Sequence, residues 1–220
     1  MEAAFESGLK EICGRENVRK AVPMSGHTTF RTGGPADFFV TPENREAYIG
    51  LLSYVRRSGM DFFVLGKGSN LLVGDKGFRG TVIDTSAFLN SVTIEDETIK
   101  AEAGAGLGTV AGLAAERSLT GMEFASGIPG TVGGAVFMNA GAYGGEMSQI
   151  VSSVEMMKSD GTIINADASD MEFGYRTSLI QKEELYVISV EMQLQKGNRD
   201  DIAAKIKDLG MQRAKKQPLE

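Results

Sequence analysis

The residues of this chain that could do chemistry are gathered in three glycine-rich stretches. The first is Gly66-Lys67-Gly68-Ser69-Asn70, directly after an apolar run that ends at Leu65. Closely spaced glycines let backbone N–H groups turn toward one point and form a nest for anionic oxygens. Ser69 and Asn70 add side-chain donors, and Lys67 adds positive charge. A diphosphate needs that set, although a plain tight turn could use the same residues. It is not the GxGxxG dinucleotide fingerprint, because Leu71 stands where the third glycine is required. Nor is it a P-loop, since no GxxxxGK followed by Ser or Thr occurs in the chain.

The second stretch, Gly104-Ala105-Gly106-Leu107-Gly108, precedes a helical pattern. Glycines there would admit a ligand to the helix N-terminus. Val110 and Ala111 again occupy the place of a third fingerprint glycine, so a strand-to-helix turn is the simpler reading. The third stretch is Gly127 to Ala142, GIPGTVGGAVFMNAGA. Gly127, Gly130, Gly133 and Gly134 carry no Cβ to hold a flat ligand away from the backbone, and Pro129 stiffens the turn. Ile128, Val132, Val136 and Met138 are expected to supply apolar surface, and Asn139 a donor and an acceptor. A glycine-rich helix packed tightly on a sheet is the competing reading.

These stretches need elements to hold them. Phe5, Leu9 and Ile12 recur at helical spacing. Ala36 to Val40 reads as a strand closed by Pro42. Glu43 to Ser58 reads as a helix, with Ala47, Leu51, Leu52 and Val55 on one face and Gly59 beyond its end. Asp61 to Leu65 and Thr81 to Asp84 read as strands, with Leu71 to Val73 as a short apolar piece between them. Ser91 to Ile94 and Thr98 to Ala103 predict a hairpin around Glu95 to Glu97. Thr109 to Ser118 predicts a helix. Val151 to Lys158 and Thr162 to Asn165 flank Ser159-Asp160-Gly161, a second hairpin. Leu185 to Leu194 alternates as a strand does. Arg199 to Lys216 predicts a helix interrupted by Gly210 and stopped by Pro218, with Ile202, Ile206 and Leu209 on one face. Strand signals outnumber helix signals in the middle of the chain, so an α+β fold is expected rather than a regular doubly wound sheet.

Composition narrows the chemistry further. The 220 residues can bury a substantial core. With 23 Lys+Arg against 29 Asp+Glu the net charge is −6, which argues against a nucleic-acid binder. Cys13 is the single cysteine and His27 the single histidine, which excludes disulfide scaffolds, zinc fingers and His-rich metal sites. A Ser-His-Asp or Cys-His site is disfavoured for the same reason. The 28 glycines are the unusual number, and they cluster where a ligand could approach the backbone. The first twenty residues hold no apolar run of signal-peptide type, and no stretch approaches a membrane span, so a cytoplasmic protein is expected.

Taken in order, four motifs make the sequence recognisable. They are His27-Thr28-Thr29-Phe30-Arg31-Thr32-Gly33-Gly34-Pro35-Ala36-Asp37, and Val64 to Val73 around the first glycine stretch. Next comes Gly121-Met122-Glu123-Phe124, leading through Gly127 to Ala142 into Tyr143-Gly144-Gly145-Glu146. The last is Phe173-Gly174-Tyr175-Arg176-Thr177-Ser178. Over residues 20 to 220 the chain resembles the UDP-N-acetylenolpyruvoylglucosamine reductases (UDP-N-acetylmuramate dehydrogenases), flavoenzymes of bacterial peptidoglycan precursor synthesis.

The resemblance implies a two-subdomain FAD-binding domain of the vanillyl-alcohol-oxidase (PCMH) type. It divides the chain into an N-terminal helix (1–19), FAD-binding subdomains (20–88 and 89–196) and the start of a substrate-binding domain (197–220). It implies that Gly66, Lys67, Gly68, Ser69 and Asn70 hold the FAD diphosphate. Gly127, Ile128, Pro129, Gly130, Gly133, Gly134, Asn139 and Gly141 would line the rest of the cofactor. Arg176 would be the catalytic arginine, with Tyr175 beside it. NADPH would reduce FAD, and the enolpyruvyl group of a UDP-sugar would then be reduced to UDP-N-acetylmuramate. No metal, nucleic acid, membrane or obligate protein partner is implied. Read on its own residues alone, Arg176 is better taken as a surface ion pair with Asp170 or Glu172.

The chain departs from the family pattern at its end. It closes at Gln217-Pro218-Leu219-Glu220, before the Gly-Ser-x-Phe type motif that carries the family's serine proton donor and before its late glutamate. Neither Ser178 nor Glu220 sits in those motifs. The expectation is that FAD binding persists while reduction of the UDP-sugar is severely impaired. A non-catalytic FAD-binding module, or another flavin oxidoreductase of the same fold, is the alternative.

Overall fold

The computed structural model describes residues 2–216. The first helix, α1 (Glu2–Cys13), buries Phe5, Leu9 and Cys13, a stripe at steps of four. A four-stranded sheet follows, built from β1 (Val18–Pro23), β2 (Pro35–Val40), β3 (Phe62–Leu65) and β4 (Phe78–Asp84) in the order β1-β2-β4-β3. β1 runs antiparallel to β2, and β4 runs parallel to both of its neighbours. Between β2 and β3 lies α2 (Arg45–Ser58). It starts at Arg45 rather than Glu43 because the Asn44 side chain caps it, accepting from Ala47 N at 2.9 Å. Gly59, at φ 68°, ends it.

The remainder builds a larger antiparallel sheet. β5 (Val92–Glu95) and β6 (Thr98–Glu102) form the first expected hairpin. α3 (Leu107–Glu116), β7 (Leu119–Thr120), the six-residue α4 (Val132–Phe137), β8 (Gly141–Ala142) and β9 (Gly145–Glu146) follow. Then come β10 (Val151–Lys158), β11 (Ile163–Asp167), β12 (Leu185–Gln193), β13 (Gln195–Lys196) and α5 (Arg199–Lys216). The sheet order is β11-β10-β12-β6-β5, and β13 pairs with β7. α3 begins two residues before the expected Thr109, because Gly106 takes the cap position. Leu71–Val73 joins neither sheet.

Gly210 does not interrupt α5, which corrects the sequence expectation. Glycine in a helix costs about 1 kcal/mol relative to alanine but keeps its N–H, so it weakens a helix without breaking it. The expected stop at Pro218 lies outside the described residues.

The two sheets share α2. Its Leu51, Leu52 and Val55 pack with Phe38, Val40 and Ile83 of the first sheet and also with Met157 and Ile188 of the second. Polar contacts mark both ends of that joint. Arg45 pairs with Glu155, which also accepts from the Ser189 hydroxyl at 2.9 Å. Arg56 pairs with Glu184 at 2.6 Å and donates to the Ser159 carbonyl. A cleft is left open between β3 and β12.

Candidate functional site

β3 delivers the chain into the turn that holds Gly66 to Asn70. Gly68 has φ 61°, and a Cβ there would stand 2.0 Å from the His27 carbonyl oxygen. Only glycine fits. The facing loop is fixed by Thr29 N donating to Gly68 O at 3.1 Å and by Thr28 Oγ1 donating to Thr32 O at 3.0 Å. None of the backbone N–H groups from Lys67 to Asn70 finds a hydrogen-bond acceptor among the described residues, while residues 69 and 70 form a turn. The Lys67 ammonium reaches across to Gly106, where a Cβ would lie 3.0 Å from Nζ. A cation near the start of α3 is held against the helix dipole. An anion seated among these groups would relieve that repulsion.

The Gly127 to Ala142 stretch is organised differently. Gly133 N donates to Ala103 O and Val132 N to Ala105 O, both at 2.8 Å, while Gly134 N turns to Thr131 Oγ1 at 3.3 Å. Gly133 is buried, with its Cα face against Ala103. Val132 and Val136 point into the core of the second sheet, which corrects the expectation that they offer surface to a ligand. Phe137, half a turn away, is 41% exposed and was not anticipated. Gly127 lies against the Arg213 side chain of α5, Ile128 is half-buried and Pro129 is exposed. Gly130 accepts from Leu107 N at 2.9 Å, and its Cα faces Ser69 of the nest.

Gly66, Gly133, Gly134 and Phe137 line the cleft between the sheets. It measures about 420 Å³ and is walled mostly by apolar side chains such as Phe62, Val64, Leu185 and Val187. From the nest the contacts also continue through Met138. Asn70 Nδ2 lies 3.5 Å from its sulfur and Gln181 Nε2 lies 3.6 Å from it. Gln181 Nε2 also donates to Phe137 O at 2.7 Å and to Arg176 O at 3.0 Å.

Tyr175 and Arg176 occupy the tip of a turn closed in both directions between Gly174 and Thr177, at 3.1 and 3.3 Å. Arg176 is held at φ 55°, a left-handed conformation that costs an ordinary residue about 1–2 kcal/mol. Asn139 fixes this turn from below. It is 2% exposed and sits at φ 40°, with Nδ2 donating to Gly174 O at 3.1 Å and Oδ1 accepting from Ser148 N at 2.9 Å. Both ends of its amide are thus committed to the backbone of two other turns. Hydrogen bonds from Ser148 and Asn139 hold the Glu146 carboxyl below the usual carboxylate range.

Arg176 makes no ion pair with Asp170 or Glu172, and Glu172 pairs instead with Lys182. One Arg176 Nη donates to Gly141 O at 3.2 Å. Among the described residues no carboxylate neutralises its charge. Arg176, Tyr175, Asn139 and Gly141 line a recess of about 260 Å³ against the Tyr143-Gly144 turn. No group of three His, Cys, Asp or Glu residues is placed to hold a metal among the described residues.

The site therefore combines backbone amides without acceptors among the described residues, an apolar cleft and a recess that holds the Arg176 guanidinium. Sequence reasoning did not single out Thr131 and Phe137 within the third glycine-rich stretch, nor Gln181, which lies outside every motif. Their places follow from a short helix and a turn whose positions are set by distant strands.

Comparison with known proteins agrees. Residues 36–167 match the FAD binding domain family. The chain is 44% identical to the UDP-N-acetylenolpyruvoylglucosamine reductase of Caldanaerobacter subterraneus subsp. tengcongensis, over 96% of this chain and 70% of that one. It is 44% identical to the Clostridioides difficile enzyme of the same name, over 96% and 69%. Among solved structures, the UDP-N-acetylenolpyruvylglucosamine reductase of Thermus caldophilus superposes with a TM-score of 0.77 at 33% identity, covering 91% of this chain and 71% of that one. The 4-ethylphenol oxidase of Gulosibacter chungangensis shares the fold alone, with a TM-score of 0.64 at 17% identity over 88% and 42%. The chain spans about 70% of the length of its reductase relatives. Its fold is the mixed α/β, PCMH-type FAD-binding domain, and the chain belongs to the UDP-N-acetylenolpyruvoylglucosamine reductase family.

Proposed function

We propose that this chain holds FAD between two subdomains, residues 20–88 and 89–196, and serves the NADPH-dependent reduction of the enolpyruvyl group of a UDP-sugar. The product would be UDP-N-acetylmuramate, a cytoplasmic precursor of peptidoglycan. The observation that carries this reading is the exposed Arg176 guanidinium, held over Gly141 in a strained turn with no carboxylate partner among the described residues. No helix among the described residues is long and apolar enough to cross a membrane.

FAD, when bound, supplies the hydride chemistry. The protein's part is to bind, orient and polarise. The Lys67–Asn70 amides and the Lys67 ammonium would hold the diphosphate, whose charge would offset the repulsion between Lys67 and the start of α3. Gly134, exposed at the cleft, leaves room for the cofactor to lie against backbone. Adding hydride to an enolpyruvyl group drives negative charge onto its carboxylate. A planar, permanently charged guanidinium can grip that carboxylate bidentately. Asn139 and Gln181 position the turn, so Arg176 need not reorganise when charge develops, which is the condition for effective electrostatic stabilisation. Tyr175, 93% exposed at the turn tip, presents an aromatic face beside it.

The test is anaerobic. The purified protein is titrated with FAD, reduced with NADPH, and mixed with UDP-N-acetylglucosamine enolpyruvate while flavin absorbance is followed. Reoxidation that depends on the UDP-sugar supports the reading. Tight FAD binding without reoxidation assigns the chain as a flavin-binding module, and failure to bind FAD removes the reading altogether.

A further inference from the structure

The Arg176 turn and the nest are joined through one side-chain amide, and only one end of that amide is used. Gln181 Nε2 donates to Phe137 O at 2.7 Å and to Arg176 O at 3.0 Å. An amide NH2 carries two hydrogens, so both are committed. Turned over, the amide would set its oxygen against two backbone carbonyl oxygens, so the hydrogen-bond network assigns its orientation. The Phe137 carbonyl is itself secured, because the hydroxyl of the fully buried Ser178 also donates to it, at 2.8 Å. Gln181 Oε1 receives no hydrogen bond among the described residues, and the residue is exposed. The result is an acceptor held still by the backbone that carries Arg176.

Its place is defined from two directions. Gln181 Nε2 lies 3.6 Å from the Met138 sulfur, and Asn70 Nδ2 of the nest lies 3.5 Å from the same sulfur, so the two amides are at most about 7 Å apart. On the FAD reading above, the diphosphate sits in the nest and the reacting ring lies beside Arg176. The part of FAD that joins those two is the ribityl chain, whose hydroxyls are donors in need of acceptors. The Phe137 and Arg176 carbonyls there are already taken, and the Met138 sulfur is a weak acceptor. We infer that Gln181 Oε1 accepts a hydrogen bond from a ribityl hydroxyl of FAD. The inference rests on the FAD reading and adds to it a cofactor contact outside every glycine-rich stretch. One amide then holds the cofactor by its oxygen and the Arg176 backbone by its nitrogen, which sets the flavin and the guanidinium in register.

The test varies the ligand as well as the protein. FAD, three analogues that each lack one ribityl hydroxyl, and ADP, which has the diphosphate but no ribityl chain, are titrated by calorimetry. In the wild-type protein one analogue should bind roughly three- to tenfold more weakly than FAD, as the loss of one hydrogen bond requires. Gln181→Leu removes the acceptor at similar volume. FAD should then bind more weakly, the difference between FAD and that analogue should vanish, and the Kd for ADP should stay as it was. A difference that survives in Gln181→Leu overturns the inference, and so do three analogues that match FAD in the wild type. An equal loss of ADP affinity also overturns it, since Gln181 would then act by bracing the nest. Should the variant not fold, wild-type protein isotope-labelled at the glutamine side-chain carbonyl reads the same contact by NMR. FAD should move the Gln181 carbonyl resonance further than the weakened analogue does, and equal movement overturns the assignment. Wild-type protein that binds neither FAD nor any analogue would instead remove the underlying FAD reading.

Discussion

Two glycine-rich regions, Gly66–Asn70 and Gly127–Ala142, look alike in sequence and do different physical work. In the first, the chain turns left-handed at Gly68, and the amides from Lys67 to Asn70 find no acceptor among the described residues. In the second, the N–H groups of Val132, Gly133 and Gly134 are taken by Ala105, Ala103 and Thr131, and the missing Cβ atoms let α4 press onto the backbone at Ala103. The first region is the one proposed to bind through its own main chain. The second is a packed support: it walls the cleft and, through Asn139, carries the Arg176 turn. Glycine content therefore says where backbone comes close to something, without saying whether that something is a ligand or another part of the protein.

The largest effect that can test this contrast lies at the far end of the support. Arg176→Ala should slow UDP-sugar-dependent flavin reoxidation by a hundredfold or more, about 3 kcal/mol, while FAD titration gives an unchanged Kd. A parallel loss of FAD affinity would mean that the turn belongs to the binding region after all. Next is Gly68→Ala. The positive φ and the His27 carbonyl 2.0 Å from the new Cβ leave the nest nowhere to go. FAD binding should weaken by about 2 kcal/mol, roughly thirtyfold, and flavin fluorescence titration would read it. A variant that binds normally breaks the claim that these amides do the holding.

Gly133→Ala should show the opposite balance. Its Cβ would meet Ala103 at 3.0 Å inside the core, and overpacking of this kind costs about 1–3 kcal/mol. The apoprotein melting temperature should fall by several degrees, with FAD affinity of the folded fraction little altered. Gly130→Ala is the control, since its nearest neighbour is Ser69 Oγ at 3.9 Å. Both readouts should move by less than about 0.5 kcal/mol.

The smallest effect concerns pH. Burial raises the Glu123 pKa, but hydrogen bonds from the Thr120 hydroxyl and from backbone N–H groups including Gly121, together with the Lys205 charge, bring it below its ordinary value. Its folded pKa is therefore lower than the unfolded one, near 4.3. The stability it contributes is complete above that value and is lost as pH falls through the folded pKa. Lys205 belongs to α5, so this carboxylate ties α5 to the segment before the second glycine region. Melting curves of wild type and Glu123→Gln should differ at neutral pH and converge in acid. A difference that persists unchanged into acid would remove the carboxylate from this role.

Much of the architecture was legible from local signals. Both hairpins, the capped end of α2 and the strand at Leu185 could be read because alternation, helical spacing and turn residues act over a few positions. The family resemblance singled out Arg176, but not what restrains it. Asp170 and Glu172 are its sequence neighbours and were its natural ion-pair partners, yet the turn at Gly174–Thr177 directs the guanidinium to Gly141, thirty-five residues back. Asn139, expected from its chemistry to contact a ligand, also braces that turn, because Gly174 and Ser148 both reach it.

What the amino-acid order determined by itself was where the backbone could bend, where helices and strands would form, and which glycines could come close to another group. Those properties follow from dihedral preferences and side-chain periodicity, which are local. Only the tertiary structure decided which amides kept no partner among the described residues and which valines turned to the core. Each of these depends on where the rest of the protein's acceptors and apolar surface lie, and packing brings those together from positions far apart in the chain.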